Sequence, residues 1–390
     1  MKQITSAPLV EKMMTEFARL TGLSPARSEP QRYLWTDAFA VCNFLGLYEE
    51  TGSREFKDLA SQLVDQVHNV LGRHRQDDQR TGWISGLNEE NGRLHPTKGG
   101  LRIGKQLKER RPSDPFNERL EWDRDGQYYH YLTKWMHALN RVTKVTGVFT
   151  YNRWAIELAR TVHNKFVYAP SFGSQKRMYW KMNIDLSCPL VTSMGLHDPL
   201  DGLVTYHQLQ ATAGEDPEQS TEDLRTEILD MANMCEGKSW ATDDPLGIGG
   251  LLSDAFRVAQ LMVKGYFAQT DLLGDLLYAS LVGLRTFTKE GPLKLPTAYR
   301  LAFRELGLSI GLGVVKRLLE LVEQNEHTFG KDHDLDTRMR ALDQYETLKE
   351  VIDKFWLRPE NQEAESWIAH RDINMVMLAT SLFPDGYLKL

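Results

Sequence analysis

The chain has 390 residues, 26% of them charged, and a formal net charge of −6 at pH 7. This charge provides no overall positive field for a nucleic acid backbone, so we expect no nucleic acid partner. No segment approaches the roughly 20 apolar residues that span a bilayer, and the N-terminal residues lack the apolar core of a signal peptide. These features predict a cytoplasmic protein without a membrane partner. Cys42, Cys188 and Cys235 are far apart and in no metal-ligand spacing, which favours reduced thiols.

A helix over 8–21 is the first predicted element, and a pair of helices over 35–71 follows it. The first member of the pair ends at Thr51-Gly52, and an amphipathic helix continues to Leu71. The same pattern recurs 95 residues later, where a helix over 129–147 ends in Thr-Gly and a second one reaches Phe166. Residues 51–71 and 146–166 share seven of 21 positions. Such a repeat predicts antiparallel αα-hairpins that bury their apolar faces against one another.

The identical positions of the repeat include His68 and His163, which lie just before the ends of the second helices. A positive charge at a helix C-terminus is favoured by the helix dipole. We therefore interpret both histidines as scaffold rather than as catalytic groups.

The rest of the chain also predicts mainly helices. Strand patterns are nearly absent, and 203–206 is the best short strand candidate. Helices are expected over 219–235, 246–264, 270–287, 297–308, 310–325, 337–355 and 371–383. About six hairpins in one chain predict an all-α domain over 1–390, an (α/α) toroid with buried inner helices and amphipathic outer helices. Two Gly- and Pro-rich stretches, 73–121 and 167–204, are expected to be ordered loops over one mouth of this toroid.

Residues 35–60 read WTDAFAVCNFLGLYEETGSREFKDLA, an aromatic-led helix that ends in Tyr-x-x-Thr-Gly before a second helix. This segment, and with it 129–166, resembles the hairpins of the six-hairpin (α/α)6 glycosidases and the related sugar epimerases. The resemblance implies a carbohydrate-processing enzyme whose active site lies in the mouth of the toroid. No catalytic motif of a single family is matched, so the resemblance assigns no catalytic residue.

Residues 121–130 form the densest group of chemical side chains and precede the inner helix of the second hairpin. Glycoside hydrolysis needs two carboxyl groups beside the scissile bond, and sugars stack on aromatic faces. Asp123 or Asp125 would supply a carboxyl group, and Trp122 and Tyr128 would supply the faces. The alternative is that Asp125 only caps the helix and that the neighbouring arginine forms an ion pair.

Further acidic residues stand near the starts of other proposed inner helices, namely Asp37, Asp254 and Asp372. They would approach Asp123 or Asp125 across the mouth, although each could simply be a negative charge favoured by the helix dipole. His370 adjoins the last of them, and a histidine beside a carboxylate is suited to proton transfer near neutral pH.

The inner helix of the second hairpin carries His130, Lys134 and His137 on its polar face. His130 is nearest the helix start and is the best candidate to face the cavity. His137 is more consistent with a structural role.

Two loops carry candidate binding residues. In 93–111, Arg102 and Lys105 lie among glycines and could bind a uronate, sulfate or phosphate, although a solvated basic loop is the simpler interpretation and the spacing is not that of a P-loop. In the second loop, Trp180 and Lys181 could form a sugar platform and an anion contact. His197, Asp198 and Asp201 offer too few ligands for a cation, so no metal and no cofactor are expected.

The leading hypothesis is a glycoside hydrolase that uses two carboxyl groups, with Trp35, Trp122 and Trp180 stacking on sugar rings. The alternatives are a sugar epimerase or isomerase that uses histidines as acid and base, and a toroid that binds carbohydrate without catalysis. A toroid for an apolar substrate, as in terpenoid cyclases, is disfavoured by the many Asp, Lys and His residues near the proposed mouth. The fold alone does not decide among them, and the sequence leaves the oligomeric state open.

Overall fold

A computed structural model describes residues 7–111, 114–171, 173, 175–218, 223–330 and 332–390. These residues are mainly helical and their few strands are two or three residues long, so the all-α prediction is confirmed. Contacts divide the chain into two compact units, one of residues 18–237 and one of residues 238–390 together with the residues up to Phe17. The predicted closure of the whole chain into a single toroid stays a prediction.

The 18–237 unit contains the repeated hairpins. Helix α1 (Ala7–Thr21) begins before this unit and ends inside it. The other helices of the unit are α2 (Leu34–Thr51), α3 (Arg54–Leu71), α4 (Glu89–Leu94), α5 (Glu118–Asp123), α6 (Tyr129–Thr146), α7 (Thr150–Phe166), α8 (Asp198–Ala213) and α9 (Arg225–Cys235). Its strands are β1 (Gln127–Tyr128), β2 (Val167–Tyr168), β3 (Arg177–Met178), β4 (Lys181–Met182) and β5 (Pro189–Val191). The strands form two small antiparallel sheets, in the order β1-β4-β5 and β2-β3.

The repeated Thr-Gly pair ends α2 and α6 in the same way. Gly52 and Gly147 have φ values of 71° and 74°, a left-handed conformation that glycine adopts without steric cost. The hydroxyl of Thr51 donates to the carbonyl of Leu47 at 2.7 Å and accepts from the N–H of Ser53. Thr146 makes the equivalent pair of bonds. The repeat is therefore a helix stop in which the threonine binds the backbone on both sides of the turn.

The helices differ in burial as the hairpin interpretation predicts. Helix α2 is buried on every side from Leu34 to Leu47, and α6 and α8 are buried along most of their length. Helices α3 and α7 bury one stripe each and pack on α2 and α6. Helix α6 contacts both α2 and α8. Contacts of Tyr131 with Tyr33 and of His130 with Asp198 bring the starts of these three helices together.

The two repeated histidines are buried and hydrogen-bonded. Burial lowers the pKa of His68 to about 3, and its Nε2 accepts a hydrogen bond of 3.2 Å from Trp135 Nε1. Burial also lowers the pKa of His163 despite the carboxylate of Asp230 3.0 Å from its Nε2. Because His68 is uncharged at neutral pH, the explanation by a charge at the helix dipole is wrong for this residue.

The predicted loop over 167–204 and the strand candidate 203–206 are corrected by the structure. Residues 203–206 lie in the middle of α8, a buried helix that begins at Asp198. Pro199 in its first turn explains the helix start, and burial on nearly all sides, of polar as well as apolar residues, explains the missing periodicity. Of the helix predicted over 219–235, residues 219–222 lie outside the described residues and α9 begins at Arg225.

The second unit is also built of helices. They are α10 (Pro245–Val263), α11 (Thr270–Glu290), α12 (Ala302–Leu312), α13 (Val315–Gln324), α14 (Glu326–Phe329), α15 (His333–Asp343), α16 (Glu346–Trp356), α17 (Pro359–Gln362), α18 (Glu365–Ile368), α19 (Arg371–Leu382) and α20 (Asp385–Leu388). Helices α10, α12 and α19 are the most buried, and α12 contacts the other two. The helix predicted over 337–355 is two helices that meet at a turn at 344–345. Helix α10 is long and apolar enough to cross a membrane, but most of it is buried within the protein.

Candidate active site

A cluster of aromatic rings surrounds His130 in the first turn of α6, within the 18–237 unit. The imidazole centroid lies 5.3 Å from the ring of Tyr128, 4.9 Å from that of Tyr131, 6.1 Å from that of Trp35 and 6.4 Å from that of Trp180. We call these four residues and His130 the aromatic cluster. Trp35, Tyr128, Trp180 and His130 were all predicted as site residues, and the structure brings them together.

Local backbone pairing places these rings. Strand β1 pairs with β4, so that Tyr128 lies opposite Lys181, next to Trp180. The N–H of Tyr129 donates to the carbonyl of Trp180 at 3.4 Å. On the other side, the hydroxyl groups of Tyr33 and Tyr131 are 2.8 Å apart, which ties the residue before α2 to the start of α6. Trp122 extends the cluster, since its ring lies 4.9 Å from that of Trp180 and 6.2 Å from that of Tyr128.

Asp198 is the carboxyl group that faces His130. It is the first residue of α8, and its Oδ1 lies 3.8 Å from His130 Nδ1, too far for a direct hydrogen bond. The side chain of His130 is 28% exposed and that of Asp198 is 7% exposed. The pair therefore lies at the edge of the buried core and retains a small accessible face.

Four buried polar atoms of this region have no hydrogen-bond partner among the described residues. They are Nε1 of Trp35, Nε1 of Trp180, Nδ1 of His130 and Oδ2 of Asp198. Buried polar groups in folded proteins are nearly always paired, and each unpaired one costs about 1–3 kcal/mol. A group of donors and acceptors left open around aromatic faces is suited to a hydroxyl-rich ligand.

Burial shifts the pKa values of the pair in opposite directions. It raises the pKa of Asp198 to about 8; the nearby carboxylate of Asp201 adds to the rise, whereas the ammonium of Lys134 and a hydrogen bond from the backbone N–H of Gly195 oppose it. It lowers the pKa of His130 to about 4, since the opposing effect of Asp201 is smaller and the ammonium of Lys134 also favours the neutral ring. At neutral pH the pair therefore consists of a neutral imidazole and a protonated carboxyl group. Such divergent pKa values are typical of an acid and a base in one active site.

The polar face of α6 beyond His130 is internally paired. Lys134 Nζ lies 2.6 Å from Asp201 Oδ1, and the hydroxyl of Thr133 donates to the other oxygen at 2.8 Å. His137 is buried with its Nδ1 3.0 Å from Gln208 Oε1. These contacts give His137 a structural position, as the sequence indicated.

Two lysines flank the ring of Tyr128. The Nζ of Lys181 lies 4.9 Å and that of Lys105 lies 5.5 Å from the ring centroid. Lys181 donates to the carbonyls of Glu121 and Arg124, and Lys105 donates to the carbonyl of Trp122. Burial and the neighbouring ammonium of Lys105 lower the pKa of Lys181 to about 7. Both ammonium groups hold the segment around α5 in place.

Asp125 lies at the centre of a buried ion-pair network. Its Oδ2 accepts from Arg102 at 2.7 Å and from Arg75 at 3.3 Å, and its Oδ1 accepts from the N–H groups of Gly104 and Lys105. The other donors of Arg102 bind the carbonyls of residues 70 and 73. The structure thus places Asp125 and Arg102, two predicted site residues, in contact with each other.

The other predicted carboxyl groups have varied surroundings. In the 18–237 unit, Asp37 is buried against Arg32 and accepts from the N–H of Tyr33, while Asp123 is exposed at the end of α5. In the other unit, Asp254 lies 3.0 Å from Arg257 in the middle of α10, so its predicted position near a helix start is wrong. Asp372 contacts Arg371 in the first turn of α19, and the ring of His370 packs on that of Phe303.

Sequence reasoning considered Asp198 only as a weak cation ligand and did not consider Tyr131. A usable signal was present, because a proline after an acidic residue, as in Asp198-Pro199, is typical of a helix start. Among the described residues, no group of three or more His, Cys, Asp or Glu side chains is arranged to hold a metal ion.

No protein-family model and no curated protein matches the chain. Solved structures that are similar to it include cellobiose 2-epimerase from Spirochaeta thermophila DSM 6192, with 10% identity, a TM-score of 0.47 and coverage of 96% of this chain and 98% of that one. A sugar epimerase from a ruminal bacterium has 10% identity, a TM-score of 0.47 and coverage of 88% and 86%. D-mannose isomerase has 14% identity, a TM-score of 0.41 and coverage of 90% and 100%. These similarities assign no role to any residue of this chain.

Proposed function

We propose that this protein is a sugar isomerase or epimerase that moves a proton at the carbon next to the sugar carbonyl, with His130 as base and Asp198 as acid. The observation that carries the proposal is the pairing of a neutral imidazole with a protonated carboxyl group, 3.8 Å apart and beside open hydrogen-bonding groups. The proposal agrees with the epimerase alternative inferred from the sequence. The glycoside hydrolase predicted first has less support, since Asp37 and Asp125 are occupied by arginines.

The reaction follows from the protonation states of the pair. The substrate is the open-chain form of a reducing sugar, which carries a carbonyl at C1 and an acidic hydrogen at C2. His130 removes the C2 proton while Asp198 donates its proton to the carbonyl oxygen, and an enediol forms. The pair then consists of an imidazolium and a carboxylate, which stabilise each other across the short distance between them. Transfer of the proton from His130 to C1, while the Asp198 carboxylate takes the proton of the O2 hydroxyl, gives the ketose. Transfer to the opposite face of C2, while Asp198 takes the proton of the O1 hydroxyl, gives the epimeric aldose.

The aromatic cluster supports a carbohydrate substrate. Trp35, Trp180 and Tyr131 present half-buried or nearly buried ring faces, and the Nε1–H groups of the two tryptophans have no partner among the described residues. Sugars combine apolar C–H faces with hydroxyl groups that accept hydrogen bonds, so they match both features.

Exchange of the C2 hydrogen with solvent tests the proposal. The purified protein is incubated in D2O with a panel of reducing aldoses and disaccharides, and deuterium at C2 is followed by NMR. We expect deuterium to be incorporated into at least one sugar. The product should have the same elemental composition as the substrate apart from this isotope. His95→Gln is a suitable control, because this exposed histidine pairs with Glu157 and lies outside the cluster. Binding without exchange in any sugar of the panel would support the non-catalytic alternative instead.

Glycoside hydrolysis is the second candidate, and one observation favours it. A carboxyl group with a raised pKa is the usual general acid of a glycosidase, and Asp198 has this property. The second carboxyl group would be Asp201, but it is bound by Lys134 and Thr133. Release of a free sugar from a glycoside, with no deuterium at C2, would select this candidate.

A further inference from the structure

Gly195 lies in the loop that connects β5 to α8, shortly before Asp198. Of residues 192–197, only Gly195 is buried. The start of this loop is tied to the aromatic cluster, because the N–H of Trp180 donates to the carbonyl of Ser193 at 2.9 Å. The end of the loop runs directly into the first turn of α8. The loop therefore joins two parts of the candidate active site.

The side chain of Asp198 folds back onto Gly195. A Cβ atom at position 195 would lie 2.5 Å from Oδ2, 2.6 Å from Cγ and 2.8 Å from Oδ1 of Asp198. Non-bonded carbon atoms normally stay about 3.5–4.0 Å from one another, so these separations are not tolerated. The carboxyl group thus occupies the space that any side chain at position 195 would take.

The backbone of Gly195 also binds Asp198 directly. Its N–H donates a hydrogen bond to the carboxyl group of Asp198, and its carbonyl accepts from the N–H of Asp198 at 3.4 Å. Gly195 is not among the glycines in the left-handed region, so its backbone conformation is open to alanine. The close contact with the carboxyl group is therefore what requires glycine at this position.

Helix α8 is fixed against α6 in the same region. Asp201 Oδ1 binds Lys134 Nζ on α6 at 2.6 Å. A Cβ atom at Gly202 would lie 2.4 Å from the hydroxyl oxygen of Tyr129, so the two helices are already in close contact there. Such close packing resists a shift of the helix. A side chain at position 195 would therefore displace the carboxyl group itself.

We propose that Gly195 is a positioning residue for the sugar reaction, which holds the carboxyl group of Asp198 beside His130. The missing side chain provides the space, and the backbone N–H fixes one orientation of the carboxyl group within it. A displacement of about 1 Å can lower the rate of an enzyme by about 10²-fold. The inference rests on the proposed function, because this orientation matters for catalysis only if Asp198 is the acid.

The rate of C2 hydrogen exchange in Gly195→Ala tests the inference. We expect kcat to fall by about 10²-fold and KM to change by less than about threefold, because the aromatic rings that bind the sugar are unchanged. Gly250→Ala on α10 is the matched control, since a Cβ atom there would meet no atom within 4 Å, and it should have the wild-type rate. A wild-type kcat in Gly195→Ala would overturn the inference.

A second experiment does not depend on the sugar reaction. Gly195→Ala is introduced into the wild type and into Asp198→Ala, and urea unfolding is measured for all four proteins. The substitution should lower the urea midpoint of the wild type and should lower that of Asp198→Ala much less, because the carboxyl group that the new methyl group meets is then absent. An equal change in the two backgrounds would overturn the inference.

The two experiments separate this inference from the proposed function. If the wild type exchanges no C2 hydrogen, the proposed function fails, and the urea midpoints still show whether Gly195 orients Asp198. If the wild type exchanges and Gly195→Ala matches it, the inference fails and the proposed function stands. If Gly195→Ala does not fold, its combination with Asp198→Ala should fold. A combined variant that also fails to fold would place the cause outside the carboxyl group and reject the inference.

Discussion

Asp125 and Asp198 are two buried carboxyl groups in the same unit, and their surroundings differ completely. Asp125 accepts hydrogen bonds from two arginines and three backbone N–H groups. Asp198 has one oxygen without a partner among the described residues, a histidine 3.8 Å from the other, and a hydrogen bond from the backbone N–H of Gly195. A carboxyl group whose hydrogen-bonding capacity is filled stabilises a structure, whereas an unfilled one is available to react. The comparison teaches that burial alone does not identify a catalytic acid.

The largest expected effect is on catalysis by the Asp198 pair. Asp198→Asn and His130→Gln should each lower the rate of C2 hydrogen exchange by about 10²–10⁴-fold, the usual contribution of an acid or base. The variants keep side chains of similar size, so thermal unfolding should show folded proteins. Exchange at the wild-type rate in both variants would remove the pair from the mechanism.

Substitution of Asp125 should lower stability, whereas substitution of Asp198 should lower catalysis. Asp125→Asn leaves the guanidinium groups of Arg102 and Arg75 without their buried partner and should lower the free energy of unfolding by about 3–5 kcal/mol. Denaturant unfolding measures this loss. Asp336→Asn, an exposed residue paired with Arg340 on α15, is the control and should have a much smaller effect. A fully stable Asp125→Asn protein would contradict the structural role.

The pH dependence of stability separates the two carboxyl groups further. Between pH 4 and about 8, folded Asp198 keeps a proton that the unfolded chain releases, so this residue lowers the free energy of unfolding by about 1.4 kcal/mol for each pH unit of rise. The lowered pKa values of His130 and, above pH 7, of Lys181 contribute slopes of the opposite sign, because the unfolded chain binds a proton there that the folded protein does not. The difference between the wild type and Asp198→Asn isolates the contribution of Asp198, so the variant should gain stability relative to the wild type as the pH rises toward 8. An equal pH dependence of the two proteins would assign the proton to another group.

The smallest expected effect concerns the open donors of the aromatic cluster. Trp180→Phe keeps an aromatic face but removes the unpaired Nε1–H, so KM for the sugar should rise by about three- to tenfold, equivalent to one modest hydrogen bond. The value of kcat should change less. Tyr151→Phe on α7, outside the cluster, is a control for loss of an aromatic polar group.

Much of the helical framework could be predicted from the sequence, because it is encoded locally. The Thr-Gly pairs at 51–52 and 146–147 determine where two helices end, and apolar periodicity identifies their partners. Helix α8 was missed because it is buried on nearly all sides and shows no periodicity. Its first residue, Asp198, was therefore placed in a loop.

The candidate site was predicted in part for a similar reason. Aromatic residues and His130 stand out in the sequence, whereas the partner of a carboxyl group depends on contacts between distant segments. Asp125 pairs with Arg102 and Arg75, which lie 23 and 50 residues away along the chain. No local sequence pattern distinguishes Asp125, which is paired with two arginines, from Asp198, which faces a histidine.

The protonation state of Asp198 tests the account most directly. The side-chain carboxyl carbons of aspartate are labelled with ¹³C, the resonance of Asp198 is assigned by its loss in Asp198→Asn, and its shift is followed against pH. The account predicts a carboxyl group that is protonated at pH 7 and titrates with an apparent pKa of about 8. Titration near the ordinary aspartate value of about 4 would contradict it, since the pair would then contain no acid at neutral pH.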